Sequence, residues 1–417
     1  MAAARPARYL AALCVALIAA YVVVWAHVSA MDIGRSDFTS TYVGGTLLRE
    51  GHRADLYSDP LQAALHTTLI APDREGNLPF VDAPLAALVA SPVTLFPLQA
   101  AYRLWAVLQL AILVLAVLIA ARAAPWPRDV RPAHRAVAVL AALACAGTLP
   151  QLLQAQWTPV TALGLALAYR DWRAGQYARG AALFAVCAAL AKPHLALGIA
   201  AFMLGWRDRR VVFGALAGGL AAAAASVALI GPEGVGGFAQ ALTGSATRWD
   251  LATFVSFIGF PGALIGNGTA AQVAGIGGTV AACAVAAWLG ARVRRDATLL
   301  EPALAGAAVL SLLAAPHVLM HDLVLIAPAA VWSVAYALRR GGDRTATLLT
   351  SLAPFGVLTL AGLSTIGGGA LAVAHGGMLA PGAVVTPALL LLAGTYVAAT
   401  MRGGRAAVHA TTRPAMV

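Results

Sequence analysis

The residues of this chain that could do chemistry lie at breaks between apolar stretches. Lys192 is the only lysine in the sequence, and it stands in Leu190-Ala191-Lys192-Pro193-His194 with apolar residues on both sides. A lysine in such surroundings is costly unless it is paired or lines a wet cavity. It is therefore either a cation that holds a phosphate group or a side chain that reaches the membrane surface from a helix end.

Asp37 lies in Arg35-Ser36-Asp37-Phe38, shortly after the first apolar stretch. One interpretation is a general base that takes a proton from a hydroxyl group. The other is an N-cap for a helix that begins near Phe38, because Asp is a favoured cap. Asp32 is the weaker candidate, since its place close to the end of the apolar stretch indicates a solvated side chain.

His317, His321 and Asp322 form a third candidate group, with the two histidines spaced i, i+4 on one helical face. Zinc binding is one interpretation, but His-x-x-x-His without an intervening Glu is a weak motif and no third ligand is near. Contact with a substrate or its phosphate is the second. In the third, Asp322 caps a helix and the histidines are satisfied at the membrane interface.

Two tryptophan-containing segments complete the candidates. Gln156 and Trp157 fit a sugar contact, with an amide for hydroxyls and a ring for a pyranose face, or else an interfacial aromatic belt. Arg248-Trp249-Asp250 indicates a local salt bridge and membrane anchor, with Arg248 as an alternative phosphate ligand. We find no P-loop and no Rossmann segment, which argues against a soluble nucleotide-sugar enzyme.

The composition indicates which class of structure positions these residues. The chain has 417 residues, of which 60% are hydrophobic and 11% charged, against about 25% charged in soluble domains. This excludes disorder and an ordinary soluble globule, and it predicts an all-α polytopic membrane protein. The net charge of +11 comes from arginine clusters between apolar runs, the positive-inside signature, so we do not expect nucleic-acid binding.

The arginine clusters also predict the topology of a single membrane domain over residues 1–417. We expect an uncleaved first span over residues 9–26, about twelve crossings, some short or re-entrant, and both termini inside, with a cytoplasmic tail at 402–417. Residues 31–98 form a long first periplasmic loop, with short amphipathic helices lying on the membrane at 38–50 and 59–70. A proline-rich interfacial or re-entrant stretch follows at 83–98. Residues 231–268 form another outer loop.

Parity then places the candidate residues on one side. The segments between successive inside arginine clusters must cross twice or not at all. Two short crossings predict an apex at the outer face or partway into the membrane. Prolines favour breaks at the apices, which are residues 150–159, Lys192-Pro193-His194 and residues 316–322. Asp37 and Asp82 in the first loop map to the same face. A site at the water–membrane boundary is the expected result.

Several blocks of the sequence, in order, resemble glycosyltransferase family 87. The first outer loop carries Asp37-Phe38, Tyr42, residues 45–51 and Leu56-Tyr57, and the later blocks are residues 79–85, Pro92, Trp105, Gln156, Lys192-Pro193-His194 and residues 316–322. Together these cover roughly residues 30 to 335. The departures are Val81-Asp82-Ala83-Pro84 for an aromatic-Pro-Pro, Ala155 for glycine, Ala315 for serine and Met320 for an aromatic residue.

The resemblance implies a GT-C-like membrane enzyme that uses a polyprenyl-phosphate sugar, often mannose, on the outer face of the bacterial inner membrane. It implies Asp37 as catalytic base, Lys192 and His194 at the donor phosphate, and His321 and Asp322 facing the site. We add Arg248 as a phosphate candidate, and Asp82, Gln156, Trp157 and His317 as substrate contacts.

The expected reaction is an inverting transfer to a glycolipid or glycan hydroxyl. No cofactor is expected, and a divalent metal is optional, because a lysine and a histidine can stabilise a leaving monophosphate. The rival interpretation is a transporter or flippase of a lipid-linked saccharide, since charges inside membranes also mark transport paths. We find no convincing inverted repeat to support it. A non-catalytic assembly partner would leave Lys192 unexplained.

Overall fold

The computed structural model describes residues 5–70, 78–245, 250–375 and 380–411, and all regular structure within these ranges is helical. The α-helices are α1 (Arg5–Ala26), α2 (Ala30–Gly34), α3 (Asp37–Arg49), α4 (Asp59–Ile70), α5 (Pro84–Ala90), α6 (Leu98–Ala123), α7 (Pro132–Leu143), α8 (Thr148–Gln154), α9 (Thr158–Arg173), α10 (Tyr177–Leu190), α11 (Leu197–Trp206), α12 (Arg209–Ser245), α13 (Gly259–Ile265), α14 (Thr269–Arg295), α15 (Leu300–Ala314), α16 (Ala327–Arg339), α17 (Arg344–His375) and α18 (Pro381–Thr411). Short 3₁₀ helices are Ser91–Leu95, Pro193–Ala196, Leu251–Thr253, Ala297–Leu299 and Met320–Ile326.

The described residues contain eight helical segments long and apolar enough to cross a membrane, or nine if the bent pair α7–α8 is one span. This confirms the prediction of an all-α polytopic membrane protein. Three shorter apolar helices, Pro84–Leu95, Tyr177–Leu190 and Pro193–Trp206, fall below the length of a span. About twelve crossings stays a prediction.

The segment predicted as the first outer loop folds into helices close to the predicted positions, but α3 is more enclosed than expected. The predicted helices at 38–50 and 59–70 are α3 and α4. Every residue of α3 from Phe38 to Leu48 is buried except Ser40, so α3 does not rest on the membrane with one face in water. Gly44 explains this enclosure, because a Cβ there would lie 2.6 Å from the Phe80 ring.

Backbone breaks occur at the predicted apices. Helix α10 ends at Leu190, and Lys192 adopts φ −138° and ψ 85° before Pro193 starts a 3₁₀ turn. Helix α8 ends at Gln154, and its C-cap residue Ala155 is left-handed at φ 48° and ψ 47°. A residue with a Cβ pays about 1 kcal/mol or more for that conformation. Each break places polar side chains where the helix geometry stops.

Part of the segment at 231–268, which is predicted as an outer loop, is helical. Helix α12 continues to Ser245 after a bend at Gly231, where φ is 70°. Pro232 has no backbone N–H and breaks the hydrogen-bond ladder, while Gly231 tolerates positive φ, so the chain bends and resumes its helix. Beyond the bend, Phe238 packs on Tyr57 with ring centroids 5.0 Å apart.

The arginine-rich helix ends are tied together at the end of the bundle far from these breaks. Glu301 at the start of α15 is fully buried and accepts a hydrogen bond from the Tyr169 hydroxyl at 2.9 Å. It also pairs with Arg173 of α9, at 3.6 Å, and with Arg339 of α16. One carboxylate therefore joins the ends of three helices.

Candidate functional site

Asp37 is the first residue of α3, and its side chain faces α8 and the turn after it. Its backbone N–H donates to Gln154 Oε1 at 2.9 Å, and its Oδ2 accepts from Gln156 Nε2 at 2.8 Å. Ser36, not Asp37, occupies the N-cap position, so the capping interpretation of Asp37 is wrong. The carboxylate keeps 23% of its surface exposed, which leaves room for a substrate hydroxyl.

Lys192 forms a buried ion pair with Asp322, with Nζ 2.8 Å from Oδ1 and side-chain exposures of 7% and 0%. Thr158 Oγ1 donates to the same Oδ1, and the Leu319 N–H donates to Oδ2 at 3.0 Å. Asp322 thus caps its 3₁₀ turn and holds the lysine as well. An ammonium held in this way does not reach for the membrane surface, which excludes the snorkelling interpretation of Lys192.

His321 connects the ion pair to Asp37. Its Nε2 lies 2.9 Å from Lys192 Nζ and 3.4 Å from Asp322 Oδ1, and its Nδ1 lies 3.8 Å from Asp37 Oδ2. The imidazole is only 3% exposed. Three parts of the chain, each more than a hundred residues from the next, therefore form one row, in the order Asp37, His321, Lys192 and Asp322.

Two further histidines lie beside this row. The rings of His194 and His317 are edge-on with centroids 6.3 Å apart, and His317 packs on Phe254 at 4.6 Å. Burial lowers the pKa of His317 to about 4; Lys192 adds to this lowering and Asp322 opposes it, so His317 is neutral at pH 7. His194 Nε2 is buried and has no hydrogen-bond partner among the described residues.

Asp82 contributes a third carboxylate on this side of the bundle. The Tyr57 hydroxyl donates to the Asp82 backbone carbonyl at 2.7 Å and so fixes the segment before α5. Burial raises the pKa of Asp82 to about 6; Lys192 opposes this rise, and Asp37 and Asp322 add to it. Its carboxylate accepts no hydrogen bond from the described residues, which leaves it open to a ligand.

Some predicted site residues have other roles. Trp157 is fully buried, donates from Nε1 to Thr41 Oγ1 at 3.2 Å and packs edge-on against Trp105 at 4.8 Å. Its predicted contact with a sugar is therefore wrong, because the ring has no free face. The Gln156 amide is occupied in holding Asp37 and the Trp157 backbone N–H, so it orients the carboxylate.

The predicted segment at residues 248–250 is only partly described. Arg248 and Trp249 lie outside the described residues, so their predicted phosphate contact and anchoring stay predictions. Asp250 caps the 3₁₀ helix Leu251–Thr253 by accepting from the Ala252 N–H at 3.0 Å.

Two residues of the site were not predicted. Thr158 and Gln154 both lie in the apex at residues 150–159 and bond Asp322 and the Asp37 N–H respectively. The position of Thr158 directly after Gln156-Trp157 was a usable signal. For metals, no group of three or more His, Cys, Asp or Glu side chains with suitable geometry occurs among the described residues.

The arrangement supports acid–base and anion chemistry in one place. A partly exposed carboxylate can accept a proton, and an ammonium 2.9 Å from the neighbouring imidazole can stabilise negative charge. Lys192 has three N–H bonds, of which Asp322 and His321 take two, so one stays available to an anion.

The comparisons with known proteins agree with this chemistry. The model of glycosyltransferase family 87 matches residues 80–316, which is more than half of the chain. The match includes Asp82, Gln156 and Lys192; the geometry above joins Asp37 and His321, outside the matched range, to it. No curated protein and no solved structure gives a significant match. The chain therefore belongs to glycosyltransferase family 87 and is a multi-pass membrane glycosyltransferase.

Proposed function

We propose that this protein transfers a sugar, mannose in our assignment, from a polyprenyl-phosphate donor to a hydroxyl group of a glycolipid or glycan acceptor, with inversion. The observation that carries the proposal is the row Asp37, His321, Lys192, in which a proton acceptor and a phosphate-binding cation flank one imidazole. The arginine clusters support a site on the outer face of a bacterial inner membrane.

The proposed step balances as a single displacement. The acceptor oxygen attacks the anomeric carbon, and its proton passes to Asp37 as the new C–O bond forms. The bond from the anomeric carbon to the phosphate oxygen breaks, and the polyprenyl phosphate leaves with the electron pair. The free N–H of Lys192 stabilises the charge that develops on the leaving phosphate. No step of this displacement requires a metal ion.

An apolar groove supports a lipid-linked donor. Its volume is about 330 Å³, and it lies between α10, residues 193–206 and α12. Leu204 and Leu216 on its wall are more than half exposed. The lining residues are Phe184, Ala185, Ala188, Ala189, Pro193, Ala196, Ala200, Met203, Leu204, Val212, Ala215 and Leu216.

The part of the groove wall formed by residues 193–204 begins directly after Lys192 in the sequence. Pro193 follows Lys192 in the chain, and Ala196, Ala200 and Leu204 continue the wall along one helical face. Pro193 and Leu204 are eleven steps apart, which span about 16 Å at 1.5 Å per residue. A donor with its phosphate at Lys192 therefore has an apolar path for the first part of its tail.

Filling the groove is expected to weaken use of long-chain donors selectively. Ala200→Phe places a ring where several methylene groups of the tail would lie, and each buried methylene contributes about 0.8 kcal/mol. We expect KM for a long-chain polyprenyl-phosphate sugar to rise about 10- to 100-fold. KM for a donor with a very short tail should change little.

Leu220→Phe is the matched control, because Leu220 is 68% exposed on α12 and does not line the groove. It should leave both donors unaffected. Equal KM changes for long and short donors in Ala200→Phe would place the tail elsewhere. Thermal unfolding of the variant in detergent reports whether the added ring disturbs the fold.

Reconstituted transfer tests the function itself. Purified protein in proteoliposomes receives a radiolabelled polyprenyl-phosphate sugar and a lipid-linked glycan acceptor. We expect label on the acceptor and free polyprenyl phosphate in equal amounts. Movement of intact donor across the bilayer without release of polyprenyl phosphate would support a flippase and contradict the proposal.

A further inference from the structure

The hydrogen-bonding capacities of Lys192 and His321 determine the tautomer of the imidazole. A lysine ammonium has only donors, and the ion pair with the fully buried Asp322 at 2.8 Å keeps Lys192 charged. His321 Nε2 lies 2.9 Å from that ammonium, so Nε2 must act as the acceptor. A neutral imidazole with an unprotonated Nε2 carries its proton on Nδ1.

The proton on Nδ1 lies on the side of Asp37. Nδ1 is 3.8 Å from Asp37 Oδ2, a distance longer than a hydrogen bond in the free protein. Contacts between catalytic groups are often long in free enzymes and shorten when substrate binds. The same Oδ2 already accepts from Gln156 at 2.8 Å, so the two N–H donors converge on one oxygen.

Resting on the proposed transfer reaction, we propose that His321 is a positioning residue whose Nδ1–H holds Asp37, and that the Lys192–Asp322 ion pair sets this tautomer. Held through Oδ2 by Gln156 and His321, Asp37 presents Oδ1 to the acceptor hydroxyl. Among the described residues no side chain donates to Oδ1, so that oxygen is free to take the proton.

This arrangement prevents His321 from acting as the general base. While Lys192 is charged, Nε2 is occupied by its donor and Nδ1 already carries a proton, so the imidazole cannot take the proton that leaves the acceptor. The proton stays on Asp37 until solvent removes it after transfer. Lys192 therefore has two roles. One N–H donates to the donor phosphate, and another fixes the tautomer of the imidazole that orients Asp37.

Two amide substitutions separate this role from others. In His321→Asn the side-chain NH₂ takes the place of Nδ1 and can still donate to Asp37, but the contact with Lys192 is lost. In His321→Gln the amide reaches the place of Nε2 and can accept from Lys192, but residue 321 no longer donates to Asp37, which keeps only the Gln156 donor. We expect kcat of His321→Asn within about tenfold of the native value and kcat of His321→Gln lower by about 10²-fold, as for a base misplaced by 1 Å.

The opposite order of activity, or equal inactivity of both variants, would overturn the positioning role, because it would require His321 to act through its basicity or on the phosphate. Thermal unfolding in detergent shows whether each variant is folded. Transfer by the native protein is measured in parallel, so failure of the proposed function is seen separately.

A second measurement needs no variant activity. In protein with ¹⁵N-labelled histidines, the resonances of His321 are assigned by their loss in His321→Asn. We expect a protonated Nδ1 and an unprotonated Nε2 in the native protein. A protonated Nε2 would overturn the inference whatever the kinetics show.

Discussion

Replacement of Asp37 by asparagine is expected to lower the rate of sugar transfer by about 10²- to 10⁴-fold, the usual contribution of a general base. The amide has nearly the shape of the carboxylate, and its oxygen can still accept from Gln156 Nε2, which is 2.8 Å from Oδ2 in the native protein. The acceptor hydroxyl then loses its proton acceptor while the site keeps its packing. Initial rates in proteoliposomes at saturating donor measure this effect.

Asp32→Asn is the matched control in the same segment. Asp32 is exposed, and its carboxylate accepts from the Ser29 N–H and hydroxyl at the start of α2, a role that an amide oxygen can fill. We expect its transfer rate to be unchanged. Unaltered turnover in Asp37→Asn would remove Asp37 from the role of base and point to Asp82 as the next carboxylate to test.

Lys192→Met is expected to reduce both transfer and stability, for two different reasons. Loss of one donor to a developing oxyanion costs about 10²- to 10³-fold in kcat. Loss of one partner of a buried pair leaves Asp322 uncompensated at 0% exposure, which costs about 3–5 kcal/mol of stability. Thermal unfolding in detergent and transfer in proteoliposomes measure the two effects separately.

The double variant Lys192→Met/Asp322→Asn distinguishes them. With both charges removed no buried carboxylate is left alone. The amide oxygen of Asn can accept from the Leu319 N–H, and its NH₂ group can donate to the Thr158 hydroxyl. We expect most of the stability to return, because removal of both partners of a buried pair is often nearly neutral. Transfer should stay low. Recovery of transfer in the double variant would show that Lys192 has only a structural role.

The sequence predicted the location of the site better than the roles of its parts. A single lysine before a proline, inside an apolar run, predicted a helix break that places a charged side chain in a polar site. Lys192 does lie at such a break. Arginine parity placed residues 150–159, Lys192 and residues 316–322 on one side, and these segments do meet. The energetic cost of a charge in an apolar stretch and the breaking of a helix by proline depend on nearby residues. Both can therefore be predicted from a single sequence.

The errors came from packing, which depends on neighbours far along the chain. Trp157 was expected to face a sugar, but Trp105 and Thr41 enclose it. Helix α3 was expected on the membrane surface, but it is buried in the protein, where Gly44 allows the Phe80 ring to pack closely against it. Nothing at either position indicates which distant side chain will cover it.

The contacts of buried Glu301, at the far end of the bundle, restrict the movement of the helices that carry the site. Helix α9 begins with Thr158 at the site and ends with Arg173 beside Glu301, and the segment that carries His321 runs into α16, which ends with Arg339. Thr158 and Arg173 are fifteen steps apart along the helix, about 22 Å. Over that length a tilt of about 3° moves the site end by about 1 Å. Because misplacement on that scale can reduce turnover about 10²-fold, we expect the contacts of Glu301 to affect the positions of Thr158 and His321 although they lie at the other ends of α9 and α16.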